Sequence, residues 1–201
     1  DIGAQAAWKG FSSQTLYISS RLISDKNGYE YYPEDVEDLV VKKDGVVVEA
    51  VQVKNISADL TLSSLAATKT SKGGEGFFNR MCSLHAQNPS FHRIKVVYFN
   101  TLGVELQEMQ SGKAVTKKAL TKKLVDKHGL SESEAVWLID SLCFEKVNLD
   151  DLDLNIQTQI SDYVPVMSAP ALAKDLLIQY ISVLSKSKGY TTLKMWQDKI
   201  H

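Results

Sequence analysis

Asp38, Gln52 and Lys54 have the types and spacing to do chemistry together. Gln52-Val53-Lys54 closes the β-branched run Val46 to Lys54. Side chains alternate along a strand, so Val48, Ala50, Gln52 and Lys54 share one face and Val47, Glu49, Val51 and Val53 the other. A glutamine and a lysine side by side at the end of an apolar strand need partners, since a buried polar head left unpaired costs about 1–3 kcal/mol. A carboxylate and a side-chain carbonyl hold a hard cation such as Mg²⁺ through oxygen. The metal lowers the pKa of a bound water and offsets charge on a scissile phosphate. A neighbouring lysine orients or deprotonates that water, or stabilises the transition state.

These residues depend on a hairpin to meet. Leu39 to Val41 and Val46 to Lys54 flank Lys43-Asp44-Gly45, a strong turn signal. A three-residue loop with Gly45 left-handed pairs Lys42 with Val46 and Asp38 with Ala50, and sets Asp38 on the face of Gln52 and Lys54. A two-residue Asp44-Gly45 turn shifts the register by one and puts Glu37 there instead. The acidic run Glu34-Asp35-Val36-Glu37-Asp38 thus offers rivals to Asp38, chiefly Asp35, Glu34 and Glu37.

Asp38 followed by Gln52-x-Lys54 on a hairpin, after a helix carrying Gln14, resembles the Gln-x-Lys branch of the PD-(D/E)xK nuclease superfamily. Gly10, Phe11 and Gln14, the segment Glu37 to Val41, and Val51 to Lys54 resemble the N-terminal endonuclease domain of bacterial antiphage effectors, which is linked to a SAVED or STAND-type sensor. The literal Pro-Asp is absent, since Glu34 follows Pro33. The resemblance implies cleavage of double-stranded DNA with Mg²⁺, for which Mn²⁺ substitutes. Asp38, Gln52 and the main-chain carbonyl of Val53 would hold the metal, Lys54 would activate water, and Gln14 would support the site. It also implies an α/β restriction-endonuclease-like mixed sheet flanked by helices, a homo-oligomer and a sensor domain outside this chain.

The remaining elements frame that site. Helical spacing covers residues 4–23, with Gly10 as a possible break; an extended stretch runs from Tyr29 to Tyr32; short and longer helices are expected after Ser57 and from Phe77 to Gln87. Arg93 to Asn100 reads as a strand buried on both faces. Beyond it come a lysine-rich helix from Lys113 to His128 stopped by Gly129, a capping box Ser131-x-x-Glu134 opening a helix through Leu142, and further helices. The expected division is a nuclease core over 1–105 and a helical segment over 106–201. Lys69 and Lys72, in a glycine-containing basic loop, and Arg80 are candidate DNA contacts.

Composition narrows the classes. The 201 residues are 44% hydrophobic and 23% charged with net charge −1, which excludes a disordered chain and a global basic field. Cys82 and Cys143 read as reduced thiols of a cytoplasmic protein, and His and Cys spacing offers no zinc site. No apolar run is long enough to cross a bilayer. The first residue, Asp1, suggests a processed or excised piece. Alternatives to a DNA nuclease are a non-catalytic nucleic-acid-binding or scaffolding domain of the same fold, a helical interaction module and an RNA nuclease.

Overall fold

The computed structural model describes residues 2–66, 75–163 and 170–200, with side chains from residue 9 to 199 of these. Helix α1 (Ile2–Ile23) opens the chain. Gly10 does not break it. Tyr17, Ile18, Leu22 and Ile23 are buried at helical spacing, so one stripe of α1 faces the sheet.

The sheet has five strands in the order β1-β2-β3-β4-β5. These are β1 (Glu30–Pro33), β2 (Leu39–Lys43), β3 (Val46–Lys54), β4 (Ile94–Tyr98) and β5 (Leu142–Lys146). The β1/β2 and β2/β3 pairs are antiparallel, and β3/β4 and β4/β5 are parallel. The expected mixed sheet flanked by helices is thus the architecture found. On one face lie α2 (Leu62–Ala66), α3 (Phe77–Gln87), α4 (Val104–Gln110), α5 (Ala114–His128) and α6 (Glu132–Ser141), closing a core that includes Val40, Ala50, Phe77, Met81, Val96 and Leu138. On the other lie α1, α7 (Leu149–Tyr163), α8 (Pro170–Ser187) and α9 (Leu193–Ile200), around Tyr17, Val51, Val53, Ile156, Leu177 and Trp196.

Two expectations need correction. The segment beyond residue 105 is not all helical: β5 belongs to the central sheet and pairs along its length with β4. Leu142-Cys143-Phe144 continues the apolar pattern of α6, so periodicity carries the helix one residue too far and hides a short strand. The hairpin turn also differs. Lys43 pairs with Val46, and Asp44 and Gly45 both have positive φ, 50° and 77°, the signature of a two-residue type I′ turn. That register alone would bring Glu37 opposite Gln52. A bulge then inserts Val48, so that Lys42 pairs with Val47 but Val41 with Glu49 and Leu39 with Val51. Asp38 thereby comes beside Gln52 rather than opposite Ala50 as the three-residue loop predicts. The bulge also moves Val48 onto the face of Val51 and Val53, while Val47 joins Ala50 in the other core.

Local signals explain several helix ends. Gly129 ends α5 at φ 67°, its N–H bonding Val125 O. Ser131 opens α6 with the expected capping box: Glu134 N–H donates to Ser131 Oγ (3.3 Å) and Ser131 N–H to Glu134 Oε2 (2.8 Å).

Candidate functional site

Residues 34–38 link β1 to β2 without a ladder of their own. Two polar clamps hold them. From α1, Gln14 Nε2 donates to Glu34 Oε1 (2.6 Å) and to the Asp38 carbonyl (3.3 Å). From α3, Arg80 Nε donates to Glu37 Oε1 (2.7 Å), and Nη2 lies 2.6 Å from the same oxygen. Arg80 Nη1 also donates to the Glu75 carbonyl. The Glu34 N–H closes the turn on Asp38 O at 3.0 Å, and Glu34 takes φ 55°, unusual for a non-glycine residue.

Between the clamps, Asp38 faces the end of β3. Its Oδ2 accepts the Val53 N–H at 2.7 Å and the Gln52 Nε2 amide. Gln52 Nε2 lies 3.4 Å from the Val53 carbonyl. Asp38 and Gln52 are 2% and 1% exposed, so this contact is removed from water. Gln52 Oε1 is buried with no hydrogen-bond partner. Lys54, half-buried, follows at the end of β3 opposite Tyr98 and on the Gln52 side of the strand. The structure therefore brings Gln14, Asp38, Gln52, Val53 and Lys54 to one end of β3.

The other candidates fare differently. Arg80 is 5% exposed and its guanidinium is committed to Glu37, so burial removes it from the DNA contacts expected of it. Lys69 and Lys72 lie outside the described residues. Several lysines at and in α5 are tied to acids: Lys113, just ahead of it, to Glu108, Lys117 to Asp140, Lys122 to Asp126 and Lys123 to Glu105. Cys82 and Cys143 are free. Burial pushes the Cys82 thiol up to about 11 and raises that of Cys143, so neither serves as a thiolate nucleophile near neutral pH. Among the described residues, no three His, Cys, Asp or Glu side chains gather to hold a metal. A cation here would have to use amide and main-chain oxygens. The donor set fits one: carboxylate Asp38, amide Gln52 and carbonyl Val53 are hard oxygen donors, and Gln52 Oε1 is unsatisfied.

The sequence reading missed Arg80 as the partner of Glu37. Its only signal was the setting of Arg80 among Phe77, Phe78, Met81 and Cys82, at the spacing of a buried helix face.

Solved structures share this fold. One is an Acinetobacter baumannii Cap4 SAVED/CARF-domain containing receptor with the cyclic trinucleotide 3′3′3′-cAAA. It is 17% identical, with TM-score 0.60 over 95% of this chain and 44% of that one. The same receptor with 2′3′3′-cAAA gives TM-score 0.58 over the same shares. A Moraxella osloensis Cap4 SAVED/CARF-domain containing receptor, 19% identical, gives 0.51 over 90% of this chain and 44% of that one. This chain therefore spans less than half the length of these receptors. No family model and no curated protein matches it.

These findings correct the motif-based identification. The structural relatives are described as receptors of SAVED/CARF type and not as PD-(D/E)xK nucleases, so the assignment to an endonuclease domain does not stand. The ligand in two of them is a cyclic trinucleotide, and double-stranded DNA is withdrawn as the expected partner. The physical reason for the misreading is that Gln-x-Lys beside an acid is a short pattern, which a sheet end can present for structural pairing as well as for catalysis. Among the described residues, no helix is long and apolar enough to cross a membrane.

Proposed function

We propose that this chain is one domain of a cyclic-oligonucleotide receptor acting in antiviral defence. The observation that carries this reading is the shared fold, over 95% of the chain, with receptors that hold cyclic trinucleotides. Two free thiols agree with a cytoplasmic setting for such a receptor. The test is calorimetric titration of 3′3′3′-cAAA and 2′3′3′-cAAA into this chain and into the longest natural protein that contains it. Saturable binding in the longer protein is expected, and the chain alone then shows whether its own residues hold the ligand. No binding by the longer protein to either trinucleotide defeats the proposal.

A second reading rests on the unsatisfied Gln52 Oε1. We propose that Asp38, Gln52 and the Val53 carbonyl form a site for Mg²⁺ or Mn²⁺, and that the site hydrolyses a phosphodiester. A divalent ion would supply a more acidic water and charge neutralisation at phosphate. The chain's own residues would do the rest: Asp38 and Gln52 would present oxygens from a buried position, and Lys54, at the end of the same strand, would activate the attacking water. Hydrolysis of bis(4-nitrophenyl) phosphate with Mn²⁺ checks this. Activity lost on Asp38→Asn and Lys54→Ala supports the reading, and activity indifferent to both substitutions excludes it.

A further inference from the structure

The acid that stands beside Gln52 is selected from four in a row of five residues, and the structure shows how. Residues 34–38 lack ladder hydrogen bonds, so a slip of one residue would put Glu37 where Asp38 stands. Glu37 is prevented from moving. Its carboxylate is fully buried at 0% exposure, and two nitrogens of Arg80 hold it at 2.7 and 2.6 Å. Arg80 is in turn braced by the Glu75 carbonyl just ahead of α3. A buried ion pair of this kind gives little net stability, because desolvating both charges offsets their attraction. Its effect is geometric: it consumes Glu37 and pins the residue before Asp38 to α3, while Gln14 pins Glu34 and the Asp38 carbonyl to α1. We infer that Arg80 is a positioning residue: through Glu37 it fixes the register of residues 34–38, so that Asp38 and no other acid of the run meets Gln52 and Val53.

The inference rests on the reading of Asp38 and Gln52 as a metal site only for its affinity readout. The test uses the double variant Glu37→Leu/Arg80→Met, which removes both charges together and leaves no buried orphan, and Arg80→Lys, which keeps the charge but loses the planar fork. Mn²⁺ binding is measured by titration, and exchange of the Val53 N–H, now bonded to Asp38 Oδ2, by NMR. With an unchanged melting temperature, the double variant is expected to bind Mn²⁺ about tenfold or more weakly, as loss of an outer partner does at metal sites. Its Val53 amide is expected to exchange faster, with Arg80→Lys in between. Unaltered affinity and unaltered Val53 exchange in both variants overturn the inference. Should the double variant not fold, Arg80→Lys decides by the same two readouts. If the wild-type protein binds no Mn²⁺, the metal-site reading fails, and Val53 exchange alone tests the positioning role.

Discussion

Glu49 gathers three cations around one carboxylate. It is 4% exposed on β3, with Arg21 at 2.8 Å, Arg93 at 3.0 Å and Lys95 at 3.8 Å; Lys95 goes on to Glu145 at 2.7 Å. Three cations and two carboxylates, a net charge of +1, therefore gather on α1, β3, the start of β4 and β5. Removing the central carboxylate leaves the largely buried Arg21 without its nearest opposite charge, while Lys95 keeps Glu145; breaking comparable buried pairs costs about 3–5 kcal/mol. Arg93 has 59% of its side chain exposed, so water replaces its partner readily. Urea denaturation is expected to show Glu49→Ala destabilised by about 3 kcal/mol and Arg93→Ala by less than about 1 kcal/mol. Equal losses would mean that burial does not govern this cluster. At this scale the sequence showed Gln14, Asp38, Gln52 and Lys54, because residue type and alternation are local. It misassigned Arg80 to DNA, because the acid that buries it lies 43 residues away along the chain.

The elements were legible where their punctuation is local. Gly129, Ser131-x-x-Glu134 and Asp44-Gly45 mark ends and turns that the structure keeps. The register was not, since an Asp-Gly signal fits both a two-residue and a three-residue loop, and nothing in Val46-Val47-Val48 announces which valine bulges out of the ladder. The final pairing depends on the balance of burial: with Val48 extruded, Val47 and Ala50 serve one core and Val51 and Val53 the other. Deleting Val48 therefore removes the extra residue without changing the pairs on either side of it. The variant is expected to fold with Asp38 still beside Gln52, seen as preserved amide shifts at Asp38, Gln52 and Val53 in NMR spectra. Wide shifts at those amides would show that the bulge itself aims the site. Gly45→Ala, by contrast, forces a side chain into φ 77° at an open position, and is expected to cost about 1–2 kcal/mol from the backbone alone.

Across the whole molecule, the two cores are built by residues from both ends of the chain, which makes a division at residue 105 a physical question about folding. Helix α1 supplies Tyr17, Ile18, Leu22 and Ile23 to the layer completed by Ile156, Ile160, Leu177, Ile181 and Trp196. Asn155 Nδ2 bridges Ser20 Oγ and Ser24 Oγ at 2.8 and 2.9 Å. Tyr31 of β1 exchanges backbone hydrogen bonds with Thr191 at 2.8 and 2.9 Å, so even the far edge of the sheet is covered by the last part of the chain. On the opposite edge, β5 covers β4, whose Ile94, Val96 and Val97 are fully buried. A piece ending at residue 105 keeps four strands but exposes β4 along one edge and strips α1 of the helices α7 and α8 that cover it. Each large apolar side chain so exposed forfeits about 1.5–3 kcal/mol, and α1 alone carries Ile18, Leu22 and Ile23. Once β4 and Tyr31 are counted, that sum is comparable to the roughly 5–15 kcal/mol that holds a typical domain together. Residues 1–105 produced alone are therefore expected to show no cooperative thermal transition, with few dispersed amide signals, whereas residues 1–201 melt in one step. A cooperative melt of the shorter piece would show that β5 and α7 to α9 are additions to an independent core. A single-step melt of the longer one would tie the Asp38–Gln52 contact at the end of β3 to the helices α7 to α9.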